Sequence, residues 1–398
     1  MNAFRPFRMS RNLLAAVCAT FATVASLPAT AATSTSTRPQ LTSTTAASYT
    51  IAKYMAQAGT IGSLTTDNWD PTGGVGTSSS FTANYTVASD GTASYKTIQA
   101  AISAAVAAGG TTRKYISVKA GTYREVVCVP ASAPPITLYG ISTTASDTTL
   151  VYNNANLTPK STGTVTNGCV SNSSATTVGT LNSATLTVLA KYFRVINLTI
   201  SNDYAEGTYS GSNQSALALA QRGDQGMYQN VRLLGNQDTV YVGSTSYSTV
   251  IRAYFRSSFI KGDTDFVFGH GTAVFHGCTI QYSAARLGAG VASYIFAPST
   301  VAANSYGFLV ISSTINSTGS ASTGTIYLGR AWDEGVSSVS SYVNGSSPNG
   351  QLVIRDTAID SFIRSSAPWG TSTAGRPYCS SSCTYSANRF NEYNNSGY

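Results

Sequence analysis

The chain has 398 residues, of which 42% are hydrophobic and only 10% charged, with a formal net charge of +8. That length suits one large domain or two ordinary ones, and the composition excludes a disordered or a membrane-spanning chain. No lysine or arginine run argues for nucleic acid, and with Arg5, Arg8 and Arg11 at the extreme N-terminus only +5 remains beyond residue 31.

Residues 1–31 read as a signal peptide. Those three arginines form a positive n-region, residues 12–27 are mostly apolar, and Ala29-Thr30-Ala31 fits a small-x-small cleavage site. The apolar run is too short for a permanent span. The mature protein is thus expected to be secreted, with no membrane partner. Residues 32–80 are rich in Ser, Thr and Gly, with one helix expected near 44–58, and read as a linker or packed N-terminal extension. Thr97 to Ala108 carries Ile98, Ile102 and Val106 at four-residue spacing and closes on Gly109-Gly110, which predicts an amphipathic helix.

Beyond residue 113 helices nearly vanish. Runs such as 115–118, 136–139, 185–188, 194–200, 216–219, 274–275 and 352–354 recur between Gly, Asn and Ser turns, which predicts an all-β domain over 81–398. A β-sandwich and a parallel β-helix both fit such a pattern. Spacing favours the β-helix: Gln214 to Gln237 is 23 residues and Asp238 to Asp265 is 27, about one coil each. Gln214, Gln237, Asp238 and Asp265 would then form one column. The alanine-rich helix would cap the first coil.

Five cysteines follow residue 31, an odd number. Cys379 and Cys383 are the natural local pair and Cys128 with Cys169 a second. The two histidines lie far from either, so neither a structural zinc nor any other metal or cofactor is expected.

In a chain so poor in charge, three strings stand out: Gly-Asn-Gln-Asp-Thr-Val-Tyr at 235–241, Gly-Asp-Thr-Asp-Phe-Val-Phe-Gly at 262–269 and Tyr-Leu-Gly-Arg-Ala-Trp at 327–332. With Ser89 to Ile102, Ala120 to Glu125 and Arg389 to Tyr393, they resemble the pectin methylesterases (pectinesterases) of carbohydrate esterase family 8. The resemblance covers most of residues 85–398 and leaves 32–80 unsupported. It implies a right-handed parallel β-helix with an N-terminal capping α-helix that hydrolyses the methyl esters of pectin. It also implies Asp265 as nucleophile, Asp238 as acid and base, Gln237 and Gln214 as oxyanion donors, and Arg330 as the partner of the nucleophile. Trp332, Tyr241 and Phe268 are implied as sugar contacts. The sequence departs from the family pattern at Ala331, where proline is usual, at Ser258, which removes a possible partner of Cys278 and implies a free thiol there, and at Asp263 and Thr264, where Asp263 adds a carboxylate.

The chemistry is coherent without the name. Two carboxylates on adjacent coils repel, raising one pKa, while a nearby arginine keeps the other anionic. Other readings have specific weaknesses. A Ser-His-Asp esterase lacks its Gly-x-Ser-x-Gly elbow. Gly269-His270-Gly271 resembles a polygalacturonase string without the Asn-Thr-Asp, Asp-Asp and Arg-Ile-Lys strings that accompany it, so His270 is read as a turn residue. A calcium-dependent pectate lyase needs clustered acids, which are dispersed here. A non-catalytic β-helical polysaccharide-binding protein has no need of these three strings in order. No apolar stripe suggests self-association, so a monomer is expected.

Overall fold

Residues of one coil sit beside their counterparts in the next. Tyr228 pairs with Phe255, Phe255 with Phe275, Phe275 with Val310 and Val310 with Ile354, all in parallel strands. The Tyr228, Phe255 and Phe275 rings stack face to face with centroids 4.8 Å apart, the spacing of neighbouring strands. This ladder of buried side chains is the interior of a right-handed parallel β-helix. The computed structural model describes residues 32–161, 164–169, 174–288, 290–319 and 321–398. The expected signal peptide lies outside them.

Two strand systems form the walls. One is a sheet of seven parallel strands, Val127–Val129, Leu186–Val188, Leu219–Gln221, Val240–Val242, Val267–Gly269, Tyr294–Pro298 and Tyr327–Gly329. The other has sixteen strands in two rows, joined by the long strands Arg194–Asn202 and Gly226–Leu234, which belong to both. Most expected runs are strands, but of 216–219 only Leu219 is; Ala216 and Ala218 instead donate to Gln237 O and Thr239 O on the way in.

The capping helix spans Ile98–Ala108. Thr97 Oγ accepts from Ala100 N, and the Glu125 carboxylate accepts from Ile98 N at 2.7 Å and Gln99 N at 3.0 Å, so donors of the first turn are satisfied. Ile98, Ala101, Ile102 and Ala105 are buried over the first coil, and Gly109 (φ 59°) ends the helix.

Residues 32–80 do not form a single helix. Thr50 is extended and caps a second helix, so the expected segment divides into Ser43–Ala46 and Ile51–Ala56, followed by the hairpin Gln57–Thr60 and Ser63–Thr66. The segment runs as a strap along the outside of the large sheet, from the last coil toward the first. Arg38 pairs with fully buried Glu392 at 2.9 Å, Arg355 donates to Ala46 O, and Gly59 pairs with Val250. Val75 N donates to Gln229 Oε1, and Ser78 Oγ accepts from Asn197. Beneath it Tyr54, Met55 and Val75 cover an outward column of Met227, Tyr254, Val274, Leu309 and Val353. Each side chain so buried contributes about 1.5–3 kcal/mol.

Cys128 is bonded to Cys169 and Cys379 to Cys383, while Cys278 is a buried free thiol, as expected. Burial pushes that thiol up to about 12.

Arg252, whose side chain is 1% exposed, joins strap to helix through Asp67 at 2.7 Å and Asp224 at 2.7 Å. Arg252→Ala is expected to cost about 3 kcal/mol, read as a lower denaturant midpoint at unchanged m-value, because it leaves the carboxylates without their shared cation. Asp67→Asn, at the exposed end, is expected to cost at most about 1 kcal/mol.

Candidate active site

The three strings converge at the edge of the seven-stranded sheet. Asp238 and Asp265 stand immediately before the strands Val240–Val242 and Val267–Gly269, which pair directly. Arg330 and Trp332 follow the strand Tyr327–Gly329. Both aspartates adopt left-handed backbone, at φ 64° for Asp238 and φ 46° for Asp265, a conformation costing on the order of 1–3 kcal/mol away from glycine. Ladder bonds hold them there: Asp238 N donates to Thr264 O at 3.0 Å and Asp265 N to Tyr294 O at 2.8 Å.

Arg330 reaches only one of the pair. Its Nε donates to Asp265 Oδ1 at 3.0 Å and its guanidinium lies 4.2 Å from the centre of the Tyr294 ring. Burial raises the Asp265 carboxyl, and the charge and hydrogen bonds of Arg330 pull it back. Among the described residues no arginine hydrogen-bonds to Asp238; burial and then the charge of Asp265 push it up to about 8, against a weaker opposing pull from Arg330. Of the two, Asp238 is the carboxyl whose surroundings favour the protonated form.

These groups line a cavity of about 480 Å³ with Thr180, Leu181, Asn213, Ser215, Gln237, Phe268, Ala297, Trp332, Glu334 and Thr373. Among the described residues the Gln237 amide donates only to Ser215 Oγ, at a long 3.5 Å, leaving its second N–H group without a partner. Trp332 is partly exposed and its ring sits 5.6 Å from that of Phe268. Arg376, itself buried, fixes the segment carrying Trp332 by pairing with Asp333 at 2.8 Å.

Two expected residues are absent from this lining. Gln214 turns away: its Nε2 donates to Tyr209 O and Gly211 O, and its Oε1 accepts from Tyr204 Oη and Gly207 N. Its neighbour Ser215 occupies the column instead, because one step along extended chain reverses the side chain. Tyr241 is 1% exposed. It lies behind Phe268, at 5.2 Å between ring centres, with its hydroxyl donating to Ser244 O. It buttresses the wall rather than forming it.

Asp263 is buried and held by Arg286 Nε at 2.7 Å, and Arg286 also pairs with Glu206 at 2.8 Å. Glu206 Oε1 in turn accepts from Gln237 N at 3.2 Å. This network, which the sequence reading missed, braces the Gln237-Asp238 turn. Dispersed acids and one arginine 20 or more residues away gave no local signal. His270 is more than a turn residue. Gly269 before it (φ 126°) packs where a Cβ would lie 2.1 Å from Val242 O, and the imidazole is buried against Glu334.

Comparison with known proteins identifies the family. The pectinesterase family model matches residues 84–344. A pectinesterase of Ralstonia nicotianae is 66% identical over 94% of each chain, and one of Ralstonia solanacearum 64% identical over 92% of each. The solved structure of rice weevil pectin methyl esterase superposes with a TM-score of 0.78 at 39% identity, covering 92% of this chain and 98% of that one. The chain belongs to the pectinesterase family, carboxylic ester hydrolases that release methanol from the methyl esters of pectin.

Proposed function

We propose that Asp265 is the nucleophile of this hydrolysis and Asp238 its proton donor and acceptor. The observation that carries the reading is that Arg330 grips one member of a stacked carboxylate pair and not the other. An Asp265 oxygen attacks the ester carbonyl carbon. The carbonyl π electrons move onto oxygen, where Gln237 N–H groups stabilise the charge. As the carbonyl re-forms, the bond to the methoxy oxygen breaks and Asp238 gives it a proton, releasing methanol. A water then attacks the same carbonyl of the anhydride, Asp238 takes its proton, and Asp265 departs as carboxylate while galacturonate is freed. Arg330 keeps Asp265 anionic and a good leaving group.

Trp332 and Phe268 are read as the sugar-facing wall. Ser215, near both Gln237 and Asp238, is the hydroxyl that replaces the role expected of Gln214. Methylated galacturonan is the substrate class. Among the described residues no helix is long and apolar enough to cross a membrane. Residues 1–31 are read as an export signal, so the protein recovered from culture medium should begin at or near Ala32; a retained Met1 there would refute this.

Methanol release from highly methylated pectin in chelator tests the mechanism. Asp265→Asn should lower kcat by more than about 10³-fold and Gln237→Ala by about 10²–10³-fold. New reducing ends or unsaturated uronides in place of methanol would contradict it.

The pH profile carries the sign. Activity needs Asp265 charged and Asp238 protonated, so kcat/KM should fall as pH rises past about 8. Arg330→Ala withdraws the positive charge from Asp265 and should move the acid limb to higher pH.

Trp332→Ala should raise KM about tenfold while Tyr241→Phe changes kcat/KM less than about twofold. Equal losses in both would return Tyr241 to the substrate face.

A further inference from the structure

Among the ionisable residues lining the cleft, Glu334 is the one for which the mechanism above has no use. It stands two positions beyond Trp332 in the lining of the same cavity, with its side chain 22% exposed. One of its oxygens is fully committed. Oε2 accepts from His270 Nδ1 at 2.9 Å and from Ser299 Oγ at 2.9 Å. Ser244 N donates to His270 Nε2 at 2.9 Å, which leaves the ring proton on Nδ1 and makes the imidazole a neutral donor. His270 and Ser299 are both buried, so the carboxylate is anchored from behind.

No lysine or arginine of the described residues lies within ion-pair distance of Glu334, and Arg330, the cation lining this cavity, is engaged with Asp265. Oε1 has no hydrogen-bond partner among the described residues. The cleft therefore presents one fixed, uncompensated carboxylate beside its aromatic wall. That charge accepts hydrogen bonds from sugar hydroxyls, and it repels a second carboxylate brought into the same low-dielectric cleft.

We infer that Glu334 is a specificity-determining residue, which makes the part of the cleft beside Trp332 accept a methyl-esterified galacturonate and reject a free one. The inference rests on the reading of this cleft as the site of methyl-ester hydrolysis. A neutral ester neighbour meets no repulsion there, whereas each ester already hydrolysed places an anion on the chain. Stretches of finished product are thereby kept from re-entering, and attack is directed to regions still methylated on that side.

The test compares kcat/KM for methanol release from highly methylated pectin and from the same pectin partly de-esterified with alkali, using wild type, Glu334→Gln and Asp265→Asn. Glutamine keeps an oxygen to accept from His270 and Ser299 and removes the charge, placing an amide NH2 where Oε1 stood. The ratio of the two kcat/KM values should fall about fivefold in Glu334→Gln, chiefly through faster reaction of the de-esterified substrate. Added salt should lower the wild-type ratio and leave that of the variant unchanged, which a merely structural role for Glu334 would not produce. An unchanged ratio, or equal losses on both substrates, would overturn the inference while leaving the esterase mechanism standing. Full activity in Asp265→Asn would instead overturn the mechanism on which it rests.

Discussion

Two carboxylates on successive coils cannot both be charged without cost, and the rest of this cleft is organised by which one receives a counter-charge. The β-helix supplies the juxtaposition directly, since equivalent positions of adjacent coils are separated by no more than a strand spacing. Arg330 arrives from a coil further along and breaks the symmetry, giving Asp265 a guanidinium while burial and the charge of Asp265 raise the Asp238 carboxyl. Arg376 through Asp333, and Arg286 through Asp263 and Glu206, fix the turns on which those groups ride. Arginines thus serve the site twice, by charge at its centre and by bracing at its edge.

Much of this was legible in the sequence because the site residues are concentrated in short strings next to strands. Asp238, Asp265, Gln237, Arg330, Trp332 and Phe268 all line the cavity, and the Cys379–Cys383 pair followed from its short spacing. What failed did so for identifiable reasons. Gln214 and Ser215 are neighbours in extended chain, so an error of one residue in register exchanges a cleft residue for a loop residue. Tyr241 shares the outward phase of Phe268, with which it is paired, but the turn carrying Ser244 and buried His270 covers it. Such cover comes from outside the strand and leaves no trace in its period.

The strap was the harder part to read, although the strands beneath it carried the signal. A helix wall open to water on one face alternates apolar and polar residues. Here Met227-Tyr228, Tyr254-Phe255, Val274-Phe275, Leu309-Val310 and Val353-Ile354 are apolar at both phases, the pattern of a sheet covered on both sides. The inner member of each pair fills the core and the outer meets Tyr54, Met55 or their neighbours. The low-complexity look of residues 32–80 concealed an element that covers the middle of the sheet.

That strap alters how such a molecule comes apart. A linear array of coils touching only their neighbours can fray from either end, each coil lost almost independently. Here the segment that begins against Glu392 at the last coil continues past Val250 and on to Asn197 near the first, so coils far apart share one strip of chain. Loss of a terminal coil must first peel the strip that also shields the middle. The strap thereby couples coils that a bare solenoid would leave independent, and the cleft, halfway along, lies between its two anchored ends.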